Sequence, residues 1–295
     1  MLNYNSSSEL RSFLEKEGLG MQKKFGQNFL VNPQIRQALV DELGAKSGDE
    51  VWEIGSGLGA MTSLLLERGL SVNAFEIDKG FIRILKQLFG KEERFQVVEG
   101  DVLKTWIGSK SNSQFLLGNL PYNIAAALLA DLIEKGRTFS RMVVTVQKEV
   151  ALRMAASAGS PDYSSFSVLC ASVYKVNPLM LIRSSSFYPQ PNVDSMGVLF
   201  EKKDTALTAD INPQIFYPLV RSLFASRRKT VKNNLLTFLK THASIGQTKQ
   251  ENNLNDLSMA VLMENTLKGN ERAENLKLET FMALAKTIDN MRLSI

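Results

Sequence analysis

The residues best equipped for chemistry lie between Phe115 and Ile124, in the stretch FLLGNLPYNI. Phe115 to Leu117 is an apolar run that reads as a buried strand, and Gly118 lets the chain turn at its end. Asn119, Leu120, Pro121 and Tyr122 then present an amide, an apolar spacer, a φ-locked proline and an aromatic ring. That order suits the gripping of a flat heterocycle carrying an exocyclic amine. Asn119 offers a side-chain oxygen, the adjoining backbone a carbonyl, and Tyr122 a ring to stack on. Asn and Pro are also ordinary turn residues, so this stretch alone leaves a plain strand-to-helix turn open.

A second constellation is Glu53-x-Gly55-x-Gly57-x-Gly59. Alternate glycines let the backbone approach a ligand closely, and the helix that follows adds unpaired N–H groups. Because Ala60 comes next, the run also fits a dinucleotide G-x-G-x-x-A fingerprint. The acid two positions before Gly55 suits a cationic ligand better than a pyrophosphate, and the turn resembles the glycine loop of S-adenosylmethionine methyltransferases. A dinucleotide enzyme and a structural turn stay open as alternatives. Glu76 lies about 20 residues beyond the glycines, where a carboxylate accepts ribose hydroxyls. Its neighbour Asp78 is read as a helix cap. Asp101 ends the next apolar run, where it can accept from an adenine amine or serve as a plain turn residue.

The third constellation is basic. Arg221, Arg227, Arg228, Lys229 and Lys232 cluster around FASRRKTVKNNL, with no acid between Arg221 and Lys240. Cations along one helical start suit a phosphate backbone, although a solvated helix face has the same composition. Lys23 and Lys24 of KKFG add two more. Phe187, in SFYPQPNVDS, is a candidate for the second face of a stacked base, or else a packing plug. A base held between two rings has left its helix, so the substrate would be an unpaired or flipped nucleotide.

These residues must be positioned by a strict alternation. VWEIG, SVNAFE, FQVVEGD, FLLGN and MVVTVQ read as strands, each followed by a helical segment, which predicts a parallel sheet with helices on both faces. Right-handed crossovers put the strand ends on one edge, so Gly55, Glu76, Asp101 and Asn119 converge there. Val168 to Val176 and Val193 to Phe200 are read as two further β-rich runs. The rest is helical, with helices expected over Pro213 to Phe224, Arg228 to Leu239, Leu257 to Leu267 and Leu278 to Met291. The division expected is a flexible N-terminal arm over 1–22, read as a loosely held arm or a frayed helix, an α/β domain over 23–203 and a smaller all-α domain over 204–295.

Composition narrows the chemistry further. The chain has 295 residues, 44% hydrophobic and 22% charged, with a net charge of +5, which fits a globular protein with an acidic partner. One cysteine, Cys170, sits in the apolar run VLCASVY and is read as core; one histidine, His242, lies in a polar helix. A Ser-His-Asp triad or a cysteine- or histidine-built metal site has almost no material, so no metal is expected. No apolar run approaches the roughly 20 residues that cross a bilayer. The first twenty residues have no apolar core, so neither a membrane segment nor a leader is expected and the cytoplasm is the expected location. The chemistry that remains is a direct in-line transfer driven by positioning and electrostatics.

Taken together, KKFGQNFL, EIGSGLGA, FEID, EGDVL, GNLPYNI, VQKEVALRM, FYPQPNVDS, SRRKTVKNNL and RAENL resemble the ribosomal RNA adenine dimethyltransferase family, in order across nearly all of residues 23–292. The resemblance implies a Rossmann-like class I methyltransferase fold with a mostly parallel seven-stranded sheet. It implies that Asn28, Leu30, Gly55, Gly57, Glu76, Asp101 and Asn119 contact S-adenosylmethionine. Asn119, Leu120, Pro121, Tyr122 and Phe187 would then handle the target adenine. The branch it resembles dimethylates N6 of two adjacent adenines near the 3′ end of 16S rRNA, in the assembling 30S subunit. A monomer is expected. Ser56, Ser164 and Ser226 depart from the family's usual proline, glycine and glutamine, and none removes a group the chemistry needs. The antibiotic-resistance branch, acting on 23S rRNA, shares the glycine loop and the N-x-P-Y turn. A catalytically silent RNA-binding relative is the third reading, against which the intact Asn119 to Tyr122 argues.

Overall fold

The apolar runs at Glu50–Ile54, Ser71–Glu76, Phe115–Asn119 and Arg141–Gln147 become strands buried along most of their length, which is why they show no polar alternation; the edge strand Phe95–Glu99 is only partly covered. The structure, a computed structural model, describes residues 2–20, 26–204, 211–242 and 251–291. Lys23 and Lys24 lie outside the described residues. In chain order the first elements are α1 (Ser7–Lys16), β1 (Phe29–Leu30), α2 (Pro33–Leu43), β2 (Glu50–Ile54), α3 (Ala60–Glu67), β3 (Ser71–Glu76) and α4 (Lys79–Phe89). Next come β4 (Phe95–Glu99), α5 (Val102–Thr105), β5 (Phe115–Asn119), α6 (Ala125–Glu134), β6 (Arg141–Gln147) and α7 (Lys148–Ala155). They are followed by α8 (Ser165–Val173), β7 (Tyr174–Ile182), β8 (Phe187–Tyr188) and β9 (Ser195–Lys202). The last helices are α9 (Pro213–Phe224), α10 (Val231–His242), α11 (Glu251–Glu264) and α12 (Leu278–Asn290).

The sheet has seven strands in the order β4-β3-β2-β5-β6-β9-β7. Strand β2 pairs in parallel with both β3 and β5, β3 with β4 and β5 with β6, while β9 runs antiparallel to β6. The chain builds outward from β2 to β4, then returns to β5 on the other side of β2. That reversal opens a crevice beyond the carboxyl ends of β2, β3 and β5, the usual ligand position in such sheets. Helix starts follow their sequence signals. Asn32 caps α2 by accepting from Ile35 N at 3.1 Å, with Pro33 in the first turn. Asp78 caps α4 through the N–H groups of Gly80 and Phe81, which fixes its role as a cap.

The structure corrects three expectations. The N-terminal arm is a capped helix: Ser6 accepts from Glu9 N, and Leu10 and Leu14 are buried against Leu58, Phe81 and Ile84. The Ser6-x-x-Glu9 spacing and the i, i+4 leucines were its signals. Val168 to Val173 belongs to α8 and not to a strand; the extended chain starts only at Tyr174. A short apolar run reads the same way in either state, and here Ser164 N donating to the Ser167 hydroxyl at 3.0 Å starts a helix. Cys170, within it, is fully buried.

The third correction concerns the domain cut. The chain divides into two compact units, Met1–Ala151 with Val176–Lys202 in one and Leu152–Lys175 with Lys203–Ile295 in the other. Residues 152–175 thus leave the expected 23–203 domain, and 1–22 is grouped with the sheet unit. The second unit's own core explains this: Tyr163 and Val168 pack in one cluster with Phe216, Leu219, Phe238 and Phe281. Because Leu14 is almost fully buried, Leu14→Ala should cost about 2–5 kcal/mol in urea unfolding. A loss below about 0.5 kcal/mol would return the segment to a loosely held arm.

Candidate active site

The crevice is a cavity of about 310 Å³. All seven residues expected to hold the cofactor line it: Asn28, Leu30, Gly55, Gly57, Glu76, Asp101 and Asn119. Gly57 has φ 56°, and a Cβ there would lie 3.0 Å from the Phe29 ring, so the loop must be glycine to lie this flat. Its N–H donates to Glu76 Oε2 at 2.7 Å, which locks the loop to the end of β3. Glu76 Oε1 accepts from the N–H groups of Ile77 and Asp78 at 2.8 and 2.9 Å. A carboxylate has about four acceptor positions, so roughly one remains, on Oε2, for a ligand donor. Asp101 caps α5 by accepting from Leu103 N at 3.1 Å through Oδ1, leaving Oδ2 for the cavity. It is both the turn residue and a cavity residue.

Asn119 is anchored. Its Nδ2 donates to the Asn28 carbonyl at 2.7 Å, which fixes the amide orientation and turns Oδ1 into the acceptor. Gly118 makes this possible: a Cβ there would sit 2.7 Å from Leu120 Cδ2, so its absence lets Leu120 fold back into the core. Leu120 is 1% exposed and its N–H donates to Thr145 O at 3.0 Å. Pro121 borders the cavity together with Asn119. Tyr122 does not line it; its half-buried ring is tethered by a 2.7 Å hydrogen bond between its hydroxyl and Ser195 Oγ.

Phe187 is a second exception. Paired opposite Leu30 in the β1–β8 ladder, it is 3% exposed and packs with Leu30, Ile182 and Leu199. The ring expected to stack on a base is the packing plug in this structure, because the ladder turns it inward.

Glu53, which sequence reasoning attached to the glycine loop, lines the cavity, and so do Tyr4 and Arg36, which it left out of the site. Glu53 accepts from the Thr62 hydroxyl at 2.6 Å. Burial pushes its carboxyl up to about 8, with the Glu76 charge adding to the rise and Thr62 opposing it. Burial also raises Glu76, against the N–H groups of Asp78, Gly57 and Ile77. Burial favours the neutral form of both acids, and a cation bound beside them would shift them towards their ionised form. Arg36 had a readable signal, since it occupies the inward row with Leu39, Val40 and Leu43.

In the helical unit the basic cluster divides. The residues before Val231 form a turn between α9 and α10, not the helical start expected from Arg228. Arg227 Nε pairs with Glu274 at 3.0 Å, and its other nitrogens donate to the Pro161 carbonyl. The neutralising acid comes from a distant segment, invisible to the local charge count. Arg228 and Lys229 are exposed and make no ion pair among the described residues. Arg221 is exposed on the last turn of α9, and the Lys232 stem lies beside Gly269.

A doubly wound sheet of this order, with a glycine loop locked to the acid ending the adjacent strand, defines a Rossmann-like methyltransferase that uses S-adenosylmethionine. The glycine cradle, the buried acids and the free acceptors on Glu76 and Asp101 fit that cofactor. The chain belongs to the ribosomal RNA adenine dimethylase family, whose model matches residues 18–282. It is 44% identical to ribosomal RNA small subunit methyltransferase A of Treponema denticola, over 98% of this chain and 97% of that protein. The protein of the same name from Borreliella burgdorferi is 37% identical, over 98% and 96%. Among solved structures, a dimethyladenosine transferase from Plasmodium falciparum superposes with a TM-score of 0.75 at 26% identity, covering 89% of this chain and 98% of that one. The 23S rRNA methyltransferase ErmE shares the fold, with a TM-score of 0.61 at 17% identity over 88% and 99%.

The raised Glu53 carboxyl has a sign. A group whose folded value lies above its unfolded one stabilises the fold below the unfolded value, and that contribution fades as pH rises through about 8. Stability should therefore fall between about pH 5 and 8, by at most about 1.4 kcal/mol per pH unit from this one group. Glu53→Gln should flatten the fall in denaturant midpoints measured across that range. An unchanged slope would mean that Glu53 is ionised in the folded protein.

Proposed function

We propose that this chain transfers methyl groups from S-adenosylmethionine to N6 of two adjacent adenines in a hairpin loop near the 3′ end of 16S rRNA. The substrate on this reading is the assembling 30S subunit, met in the cytoplasm by a monomer of the enzyme. No helix among the described residues is long and apolar enough to cross a membrane. The names of the relatives from Treponema denticola and Borreliella burgdorferi support the small subunit over the 23S reading.

The observation that carries the chemistry is the Asn119 Nδ2 bond to the Asn28 carbonyl. Adenine N6 is a weak nucleophile because its lone pair is delocalised into the ring. An acceptor on one amine hydrogen favours a more pyramidal nitrogen, and a fixed Oδ1 supplies that acceptor without reorganisation at the moment of reaction. S-adenosylmethionine, when bound, supplies an electrophilic methyl group on a sulfonium. Glu76 Oε2 accepts from a ribose hydroxyl and Asp101 Oδ2 from the cofactor's adenine amine. Leu30 and Gly55 shape the walls, and Pro121 holds the turn. Tyr122 carries the stacking on the target base, its ring angle held by Ser195. Arg228 and Lys229 bind the RNA backbone, with Arg221 and Lys232 flanking them and Arg227 bracing the turn on Glu274.

Asn119→Ala should leave S-adenosylmethionine affinity, read by calorimetry, within several-fold of the parent while nearly abolishing methylation. Full activity would sink the mechanism. Mass mapping of rRNA from 30S and 50S particles offered side by side should find two dimethyladenosines in 16S rRNA; one in 23S rRNA would overturn the substrate. Changing Arg228 and Lys229 together to Gln should reduce the slope of log affinity for the 30S particle against log salt by about 1.4–1.8. An unaltered slope would assign both residues to a solvated surface.

A further inference from the structure

Tyr4, Leu10 and Arg36 line the cavity, and none of them takes part in the chemistry above. Arg36 is 5% exposed in the first turn of α2. One terminal nitrogen donates to the Leu30 carbonyl at 2.6 Å and to the Tyr4 carbonyl at 3.2 Å; the other donates to Asn5 Oδ1. No carboxylate pairs with it among the described residues, and its buried Nε has no partner. A cation held by carbonyls and an amide alone is costly to bury. Its hydrogen bonds join two segments distant in sequence: the N-terminal residues and the strand leading from Asn28.

Tyr4 makes a second link. Its hydroxyl donates to the carbonyl of Leu58, between Gly57 and Gly59 of the glycine loop, at 3.0 Å. Burial raises this phenol, and the Glu53 charge raises it further, so it stays a donor at neutral pH. Leu10 and Leu14 of α1 press on the same Leu58 and on Phe81 and Ile84 of α4. The N-terminal segment thus touches the glycine loop, the Leu30 strand and α4, all of which contribute residues to the cavity lining.

We propose that residues 4–14 form a structural wall of the cofactor cavity, with Arg36 as the clamp that fixes this segment to Leu30 and Tyr4 as its tie to the glycine loop. Arg36 and Tyr4 are positioning residues: they act on S-adenosylmethionine through Leu30 and Leu58. The inference rests on this cavity being the cofactor site. It distinguishes a part of the chain that shapes the ligand site from one that merely adds stability.

The test uses the full chain and S-adenosylhomocysteine as the probe, with affinity by calorimetry and melting temperature recorded in parallel. Arg36→Met keeps the length and apolar stem of the side chain while removing every donor, and should weaken binding at least tenfold. Tyr4→Phe removes one hydroxyl and should weaken it about threefold or more. Asn3→Ala, at an exposed position facing Glu9, should leave affinity unchanged. A folded Arg36→Met protein that binds within twofold of the parent overturns the proposal, even where its melting temperature falls. Should Arg36→Met not fold, Tyr4→Phe decides alone, and binding within 1.5-fold of the parent overturns it. Glu76→Ala separates the two readings: if it binds as tightly as the parent, the cavity assignment has failed and not the clamp.

Discussion

Everything in the sheet unit depends on β2 pairing in parallel on both of its sides. The edge between β2 and β5 is where the chain reverses direction across the sheet, and no helix can cover the carboxyl ends there. The crevice that results is therefore a product of connectivity before any side chain is chosen. Gly57 and Glu76 then close it from one side by a single 2.7 Å bond between neighbouring strand ends. That bond makes the loop and the acid one object. A residue that disturbed either would move both, which ties ligand-binding geometry to the backbone pairing of β2 with β3.

The cavity also concentrates charge where water is scarce. Glu53 and Glu76 are buried on its wall and Arg36 is buried beside them, yet Arg36 is spent on carbonyls and an amide and on neither acid. Isolated, each of these groups would be destabilising. Their partners differ: the acids line the cavity and accept from Thr62 and backbone N–H groups, while the cation holds the N-terminal segment. The Thr62 hydroxyl on Glu53 and the three N–H groups on Glu76 are the local compensation. Burial outweighs it at both sites, since both carboxyls stay raised. A ligand with positive charge would shift both towards their ionised form.

The sheet, and the convergence of Gly55, Glu76, Asp101 and Asn119 on one cavity, were legible in the sequence because they follow from short-range rules. Alternating strands and helices force a carboxyl edge, so Gly55, Glu76, Asp101 and Asn119 could be placed together from the pattern alone. Asn28 and Leu30 could not; they precede the first sheet strand, and only the family resemblance brought them to the cavity. What was illegible depended on long-range partners. Phe187 turned out to be buried because of its register with Leu30, and Arg227 is occupied because Glu274 arrives from 47 residues away. Val168 to Val173 was ambiguous for a different reason, since a run of small and apolar residues carries no period that separates strand from helix. The N-terminal helix carried a capping signal that its polar composition masked.

The acceptor half shows how little of a short motif does the chemistry. In Asn119-Leu120-Pro121-Tyr122, Asn119 ends β5 on the cavity, and Leu120, just beyond the strand, is buried in the core. Leu120 is thus the lever: its burial beside Gly118 and its N–H bond to Thr145 hold the backbone against which Asn119 is aimed. Asn28 completes the aim from the opposite side, so the amide is fixed at both its backbone and its Nδ2. Only Oδ1 is left to recognise a donor, and a fixed acceptor discriminates by geometry better than a mobile one. With Phe187 turned into the core, Tyr122, tethered by its bond to Ser195, is the aromatic ring of this motif left for the proposed stacking on a flat substrate. That bond reaches β9, the strand antiparallel to β6, so the ring's angle is set by the far half of the sheet while the amide's is set by the near half.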